Sequence, residues 1–156
     1  MIKLLRIDDR LVHGQVALTW TPSLGADCLV VANDKTAKDE FLKMTMNLAK
    51  PATAKLLIKS LDDTIKFLSD ERSKNMKIFV LVNSVPDAAV LANAIPEIKS
   101  INFGGIRGKE GSKLISKAIA VNDDDIAVIK ELLAKGIELE IRQVPTDKVQ
   151  LVEALI

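Results

Sequence analysis

The residue types best suited to chemistry in this sequence are concentrated near its start. Arg6, Asp8, Asp9 and Arg10 precede His13, which is the only histidine in the chain. A histidine imidazole can be neutral and nucleophilic near pH 7. A guanidinium group can donate two hydrogen bonds to phosphate oxygens and offset the charge that develops in phosphoryl transfer. The segment therefore combines a nucleophile with groups that stabilise a phosphate.

The position of His13 at the start of a predicted helix strengthens this interpretation. The first N–H groups of a helix are unpaired and favour an anion, and Gly14 lets the backbone approach it closely. Arg10, together with Arg6, would contact phosphate oxygens, while one of the two preceding aspartates would hold the ring in one tautomer or orient an arginine. The ordinary alternatives are a capping or surface histidine and surface ion pairs, each worth less than about 1 kcal/mol.

The elements around this segment follow a regular alternation. Short apolar runs rich in β-branched residues alternate with longer segments of helical period, which is typical of βαβ units. We predict one domain, 1–156, of α/β class: a doubly wound, mostly parallel sheet of about seven strands with helices on both faces. The predicted strands are 2–7, 27–32, 54–59, 77–83, 100–103, 113–121 and 137–144. The predicted helices are 14–24, 33–49, 64–68, 86–95, 122–135 and 148–155.

Polar and glycine residues follow several of the predicted strands at the point where each strand ends. Asn33 and Asp34 follow the second strand, Ser84 follows the fourth, and Gly104 and Gly105 follow the fifth. Ligands of open α/β sheets bind outside the carboxyl ends of the strands. Each of these residues also has a simpler explanation as a helix cap or a turn. Their convergence with the histidine segment nevertheless predicts an anion or phosphate site at this edge.

Composition excludes several classes of function. The 22 basic and 21 acidic residues leave a net charge of +1, which does not suit a nucleic-acid binder held by a broad basic face. The sequence has no Walker-type glycine loop and no Cys/His cluster for zinc, so we expect no cofactor and no metal. The single cysteine, Cys28, lies in an apolar run and is predicted to be a buried structural thiol. Without a signal peptide or an apolar run of about 18 residues, we expect a cytoplasmic protein.

The sequence from Arg6 to Val16, RIDDRLVHGQV, closely resembles the active-site segment of the enzyme IIB proteins of the mannose/fructose/sorbose phosphotransferase family. The resemblance continues in order through 31–34, 38–40, 83–87 and 102–106 and so covers essentially the whole chain. It departs modestly from the family pattern at Phe103 and over 107–111, which is richer in charge and glycine. The chain is thus identified as a member of this family.

The resemblance implies a protein-N(pi)-phosphohistidine–sugar phosphotransferase that associates peripherally with membrane subunits. His13 would accept a phosphoryl group from a phosphohistidine on a IIA protein or domain and donate it to a sugar that arrives through the IIC and IID subunits. Arg10 would stabilise the phosphate, with Arg6 as a second candidate. The residues expected to surround the phosphate or line the site are Gly14, Gln15, Asp8, Asp9, Asn33, Asp34, Ser84, Gly104 and Gly105.

Two other classes of function compete with this interpretation. Asp8-Asp9, with Asp62-Asp63 and Ser84, would suit a receiver-like signalling domain phosphorylated on aspartate, although no Lys-Pro follows the fifth strand. The second class is a binding module that holds an anion without turnover. The sugar, the phosphorylated ring nitrogen and the oligomeric state stay open; segment 137–144 or the region of Trp20 would be the surface of any homodimer.

Overall fold

The computed structural model describes residues 1–156 and contains one seven-stranded sheet and a separate two-stranded hairpin. The sheet has the strand order β3-β2-β4-β1-β5-β8-β9, and every neighbouring pair is parallel except β8 and β9. This confirms the predicted mostly parallel sheet of about seven strands. The strands are β1 (Ile2–Asp8), β2 (Cys28–Ala32), β3 (Lys55–Lys59), β4 (Ile78–Val82), β5 (Ser100–Gly105), β6 (Lys113–Ser116), β7 (Ile119–Val121), β8 (Glu138–Ile141) and β9 (Gln150–Leu151).

Helices connect the parallel strands, as right-handed crossover units require. A π-helical segment, Val16–Trp20, leads into the first α-helix, and 3-10 segments occupy Glu71–Asn75 and Val152–Ala154. The α-helices are α1 (Thr21–Leu24), α2 (Asp34–Ala37), α3 (Glu40–Ala49), α4 (Leu61–Ser69), α5 (Val85–Ala94) and α6 (Asp123–Ala134). No helix has the length and apolar character needed to cross a membrane.

Both faces of the central strands are buried, as expected for a parallel sheet covered by helices on both sides. In β4, Val80 and Val82 belong to the core that packs against α4, α5 and α6, whereas Phe79 and Leu81 belong to the core on the opposite face. The smaller core includes Trp20 and the buried side of α3. Cys28 is buried in the larger core, and burial raises the pKa of its thiol, as its predicted structural role requires.

The strand order places β1 at the point where the chain changes direction across the sheet. After β1 the chain builds β2 and β3 on one side, returns through β4, and then crosses to β5 on the other side. Such a switch point leaves a crevice at the carboxyl ends of the strands. Asp8, the last residue of β1, pairs in register with Gly105 of β5, and a bulge at Gly104 interrupts the ladder. The predicted site segment therefore begins at the centre of the sheet.

Three predicted elements differ from the structure. Segment 33–49 is two helices, because the side chain of Asn33 caps α2 and that of Asp39 caps α3. Segment 113–121 is not a strand of the main sheet but the hairpin of β6 and β7. Segment 148–155 is not a helix: it supplies β9 and a 3-10 turn. Sequence period alone cannot separate these short apolar segments, because their partners are distant in the chain.

The structure also changes the interpretation of the two surfaces expected to mediate a homodimer. The strand predicted at 137–144 is β8, and it is not the edge of the sheet because β9 pairs with it. The indole of Trp20 is buried with 1% of its surface exposed, so it offers no outer contact. Segment 137–144 is therefore not a free edge and Trp20 itself is not on the surface, while a homodimer through either region stays a prediction.

Candidate functional site

The loop between β1 and the π-helical segment carries His13 back over the end of β1. Leu11 adopts a left-handed backbone conformation with φ of 57°, which costs a non-glycine residue about 1–2 kcal/mol. Burial of Leu11 and Val12 in the smaller core holds this turn in place. The amide of Leu11 donates to the carbonyl of Asp8, which closes the loop at 2.9 Å. His13 is consequently delivered to the buried carboxylate at the end of the strand.

The carboxylate of Asp8 is the centre of the site. Its Oδ2 lies 3.0 Å from Nε2 of His13 and accepts a hydrogen bond of 3.2 Å from Nη2 of Arg6. Its Oδ1 accepts a hydrogen bond of 3.1 Å from the amide of Arg10. The side chain of Asp8 is 1% exposed, whereas that of His13 is 16% exposed. The imidazole is thus anchored by Nε2, while Nδ1 makes no hydrogen bond with the protein.

These contacts keep Asp8 ionised in spite of its burial. Burial by itself raises the pKa of Asp8, but the hydrogen bonds with His13 and the Arg10 amide, together with the charge of Arg6, outweigh it. The pKa of Asp8 therefore lies below its ordinary value. A carboxylate that is ionised near neutral pH beside Nε2 favours the tautomer that carries the proton on that nitrogen.

Arg6 is almost fully buried beside Asp8, and it also forms part of the wall of a cleft of about 530 Å³. Its guanidinium is 1% exposed, and burial lowers its pKa below the ordinary value even though Asp8 and Glu140 oppose this. Its terminal nitrogens donate to Asp8, to Oδ1 of Asn102 at 2.8 Å, and to two backbone carbonyls of the segment after β8. Only its Nε lacks a partner. Contact between Arg6 and phosphate stays a prediction, and the observed contacts are those of a residue that supports Asp8.

Arg10, Gly14 and Gln15 are exposed residues of the segment that carries the histidine. The side chain of Arg10 is 55% exposed, and its Nε is 3.9 Å from Oδ1 of Asp8. Nothing lies within 4 Å of the position that a Cβ of Gly14 would occupy, so the backbone beside His13 is open. Arg10 and Gln15 line the same cleft, at the carboxyl edge of the sheet. Of the four residues predicted to contact or surround a phosphate, these three are therefore accessible and Arg6 is almost fully buried.

The two predicted glycines lie together on the other wall of this cleft. A Cβ at Gly104 would be 2.0 Å from Cζ of Arg6, because the guanidinium fills that space. A Cβ at Gly105 would meet Asp8 only at 3.8 Å, which is an ordinary contact. Gly104 is thus required by the close approach of Arg6, and its role is to admit that side chain.

Sequence reasoning missed several residues that complete the cleft. Arg107 and Lys117 add two exposed cations, and Gln143 contributes from the segment that follows β8. Arg107 donates to the carboxylate of Asp9 at 3.0 Å, so Asp9 orients this arginine rather than the histidine. The sequence shows that segment 107–111 is charged. Its position at the cleft could not be predicted, because the β6–β7 hairpin that follows it was predicted as a strand of the main sheet.

The remaining predicted site residues form a second polar group at the same edge. Asn33 accepts hydrogen bonds from the amide and hydroxyl of Thr36, and Asp34 accepts one from the amide of Leu61. Ser84 caps α5 through the amide of Asp87. Their side chains make these structural contacts and none with His13. Burial and the charge of Asp34 raise the pKa of Asp87 within this group.

Fold and site together define an α/β protein in which one buried carboxylate orients one partly exposed histidine beside a cationic cleft. Residues 2–156 match the family model described as PTS system sorbose subfamily IIB component. A Streptococcus pyogenes protein named a probable phosphotransferase enzyme IIB component is 42% identical over 139 residues, which covers 86% of this chain and 85% of that protein. The mannose-specific EIIAB component of Escherichia coli is 32% identical over 94% of this chain, which matches 46% of that longer protein.

The same relationship holds for solved structures. The IIBSor domain of the sorbose permease from Klebsiella pneumoniae has a TM-score of 0.93 with this chain, at 28% identity over 97% of this chain and 93% of that one. The chain therefore belongs to the IIB component family of the mannose/fructose/sorbose phosphotransferase systems. This confirms the family predicted from the segment around His13. Its function is that of a IIB phosphocarrier with phosphotransferase activity, and the comparisons give the receiver-like and anion-binding alternatives no support.

The close approach of Arg6 to Gly104 can be tested with a matched pair of variants. We expect Gly104→Ala to lower the free energy of unfolding by about 1–3 kcal/mol, because the new methyl group must displace a guanidinium held by four hydrogen bonds. Gly105→Ala is the control, since its Cβ meets only ordinary contacts. Urea unfolding of the two variants measures the difference, and equal stability of both would contradict the tight fit.

A second prediction concerns the buried charge of Asp8. Asp8→Asn leaves Arg6 without its nearest anion, so we expect a loss of about 3–5 kcal/mol in the free energy of unfolding at pH 7. Because the folded-state pKa of Asp8 is lowered, its contribution is complete above about pH 4 and declines as the pH falls through that pKa. The difference in the free energy of unfolding between wild type and Asp8→Asn should therefore become smaller in acid.

Urea unfolding across the acid range measures this gap. The control is Asp9→Asn, whose partner Arg107 is exposed and whose loss we expect to cost about 1 kcal/mol or less. A gap for Asp8→Asn that stayed constant down to about pH 2 would show that its carboxylate is not the ionised group described above.

Proposed function

We propose that His13 carries the phosphoryl group and that Nδ1 is the atom that forms the bond to phosphorus. The observation that carries this proposal is the contact between Nε2 and Asp8, which occupies one ring nitrogen and leaves the other free. A neutral imidazole with its proton on Nε2 has its lone pair on Nδ1, which is the nucleophilic position. The site residues and the family resemblance support the same assignment.

The proposed reaction consists of two exchanges. In the first, Nδ1 attacks the phosphorus of a phosphohistidine on IIA; the P–N bond of the donor breaks as the new Nδ1–P bond forms. The ring of His13 then bears a positive charge, which the carboxylate of Asp8 stabilises through Nε2–H. In the second, a sugar hydroxyl attacks the same phosphorus, Nδ1 departs as neutral imidazole, and the hydroxyl proton passes to solvent.

Arg10 is proposed to stabilise the transferring phosphoryl group. Its side chain is 55% exposed, its Nε lies 3.9 Å from Oδ1 of the carboxylate that contacts His13, and it lines the cleft. In phosphoryl transfer the protein contributes mainly position and charge, and an arginine on the equatorial oxygens supplies both. Gly14 and Gln15 would complete the phosphate environment through their exposed backbone and side-chain groups. Arg6 would act from behind, by holding Asp8.

The partners and place of action follow from the same proposal. A IIA protein or domain would dock on the exposed side of His13, and the membrane IIC and IID subunits would present the sugar there. The fusion of IIA and IIB named in the Escherichia coli relative supports a IIA partner. The whole chain, 1–156, would act as one IIB domain on the cytoplasmic face of the membrane, needing no metal or nucleotide of its own.

The assignment of His13 is tested by phosphorylation with phosphoenolpyruvate, the general phosphocarriers and IIA. We expect wild type to gain one phosphoryl group per chain and His13→Ala to gain none while remaining folded. The label should be labile in acid and persist in alkali, as a phosphoramidate does, and ³¹P and ¹⁵N spectra of the single histidine should place it on Nδ1. An alkali-labile label would instead indicate an acyl phosphate, and label on His13→Ala would exclude this histidine.

The role of Arg10 is a separate prediction. We expect Arg10→Ala to fold normally, because its side chain is exposed, and to slow phosphoryl transfer by about 10²-fold or more through loss of a transition-state charge contact. Arg72→Ala, which removes an exposed arginine paired with Asp70 elsewhere on the surface, is the control. Single-turnover transfer from phosphorylated IIA measures both, and a normal rate in Arg10→Ala removes this arginine from the mechanism.

A further inference from the structure

A buried polar row crosses three strands of the sheet behind the histidine. Arg6 of β1 is the register partner of Asn102 of β5, and Asn102 is the register partner of Glu140 of β8. All three side chains are buried, with 1%, 0% and 5% of their surface exposed. Register partners on one face of a sheet contact each other directly, so the row is a continuous chain of side chains.

Both hydrogen bonds of this row are donated in the same direction, from β1 towards β8. Nη1 of Arg6 donates to Oδ1 of Asn102 at 2.8 Å, and Nδ2 of Asn102 donates to Oε1 of Glu140 at 2.8 Å. A carboxamide is the neutral side chain that accepts from a cation on one side and donates to an anion on the other. Because an ionised Glu140 can only accept and Arg6 can only donate, the two residues together fix the orientation of the amide.

Glu140 is itself held in place. Nε and Nη2 of Arg142 donate to its two oxygens at 3.0 Å each, a two-pronged contact that fixes the plane of the carboxylate. The guanidinium groups of Arg6 and Arg142 lie 4.9 Å and 5.2 Å from the centroid of the Trp20 ring. The indole N–H donates to the carbonyl of Gln143 at 2.8 Å, the same oxygen that accepts from Arg6. Arg142, which lies over the Trp20 ring, therefore holds Glu140, the last residue of the row, in place.

A row of this kind is costly as a purely structural device. Burying charged groups carries a desolvation penalty, and well-packed apolar side chains of similar size often give equal or greater stability. The neighbouring residues on the other face of the same strands, Ile7, Phe103 and Ile141, show such a packed apolar arrangement. The polar row leads to Asp8 and from there to His13, which connects it to the site.

We propose that Asn102 and Glu140 are positioning residues for phosphoryl transfer by His13. Glu140 orients the amide of Asn102, the amide fixes the guanidinium of Arg6, and Arg6 holds the carboxylate of Asp8 in the position that binds Nε2 of the histidine. Neither residue contacts the phosphate. This inference rests on the proposed phosphocarrier role of His13, and it adds that residues on β5 and β8 determine the reactivity of a histidine that follows β1.

The test is Glu140→Gln, which keeps the size of the side chain but can present either end of an amide to Asn102. We expect the maximal rate of phosphoryl transfer from phosphorylated IIA to fall about 10- to 100-fold, because a small displacement of the nucleophile has an effect of this order. The KM for phosphorylated IIA should stay within about twofold, since the docking surface is unchanged. Glu138→Gln, an exposed position on the same strand, is the matched control and should behave as wild type.

A direct measurement on the histidine separates positioning from general stability. Because the chain has one histidine, ¹⁵N signals of its ring are unambiguous. Wild type should show a single tautomer with the proton on Nε2, whereas Glu140→Gln should show a mixture. An unchanged maximal rate together with an unchanged ring spectrum would overturn the proposal. A change in KM with an unchanged maximal rate would also overturn the proposal, because Glu140 would then act in partner binding.

If Glu140→Gln does not fold, Arg142→Lys tests the proposal instead. This variant keeps the charge beside Glu140 but replaces the two-pronged contact by a single ammonium. We expect a smaller change of the same kind in rate and ring spectrum, and wild-type values in both would overturn the proposal. The spectrum requires no phosphoryl transfer, so it stays informative even if labelling of His13→Ala were to contradict the proposed function.

Discussion

The structure of the site depends on one shared anion, the carboxylate of Asp8, which binds a buried arginine and an accessible histidine through the same oxygen. Removed from water, an isolated carboxylate would be neutralised; the hydrogen bonds with His13 and the Arg10 amide, together with the charge of Arg6, prevent this. The carboxylate in turn occupies Nε2 of His13 and leaves Nδ1 without a partner. Orientation of the ring, its tautomer and the exposure of its other nitrogen all follow from this contact.

The sheet supplies the rigidity that such a contact requires. β1 lies between two parallel neighbours, and both faces are packed, so Asp8 at its end cannot move without disturbing the core. The loop that returns His13 is strained at Leu11 and is held by buried side chains. The other side of the histidine carries the exposed groups, Arg10 and the cleft. The molecule thus separates a fixed interior that orients His13 from an open surface that carries Arg10 and the cleft.

Much of this arrangement could be predicted, and the exceptions share a cause. The alternation of apolar runs and helical segments predicted the parallel sheet, and the sheet-edge rule brought Asp8, Ser84 and Gly104 to one side. The prediction of seven strands was right in number, but 113–121 had been counted where β9 belongs. A short apolar segment has no intrinsic preference for a given sheet, because its pairing is decided by residues far away in the chain. Burial of Arg6 was not predicted, because it depends on β5 and β8, and its contact with phosphate stays a prediction.

The sequence by itself determined the family and predicted His13 as the nucleophile, because both rest on adjacent residues from Arg6 to Gln15 whose types can be read directly. Tertiary structure alone decided which ring nitrogen is free, which arginine is buried and which is exposed, and which distant residues stand behind the site. Asn102 and Glu140 are separated from His13 by 89 and 127 positions in the chain, and nothing in their local sequence predicts contact with the site. They reach the site because register across β1, β5 and β8 is set by the packing of the whole sheet, and that packing is a property of many residues together.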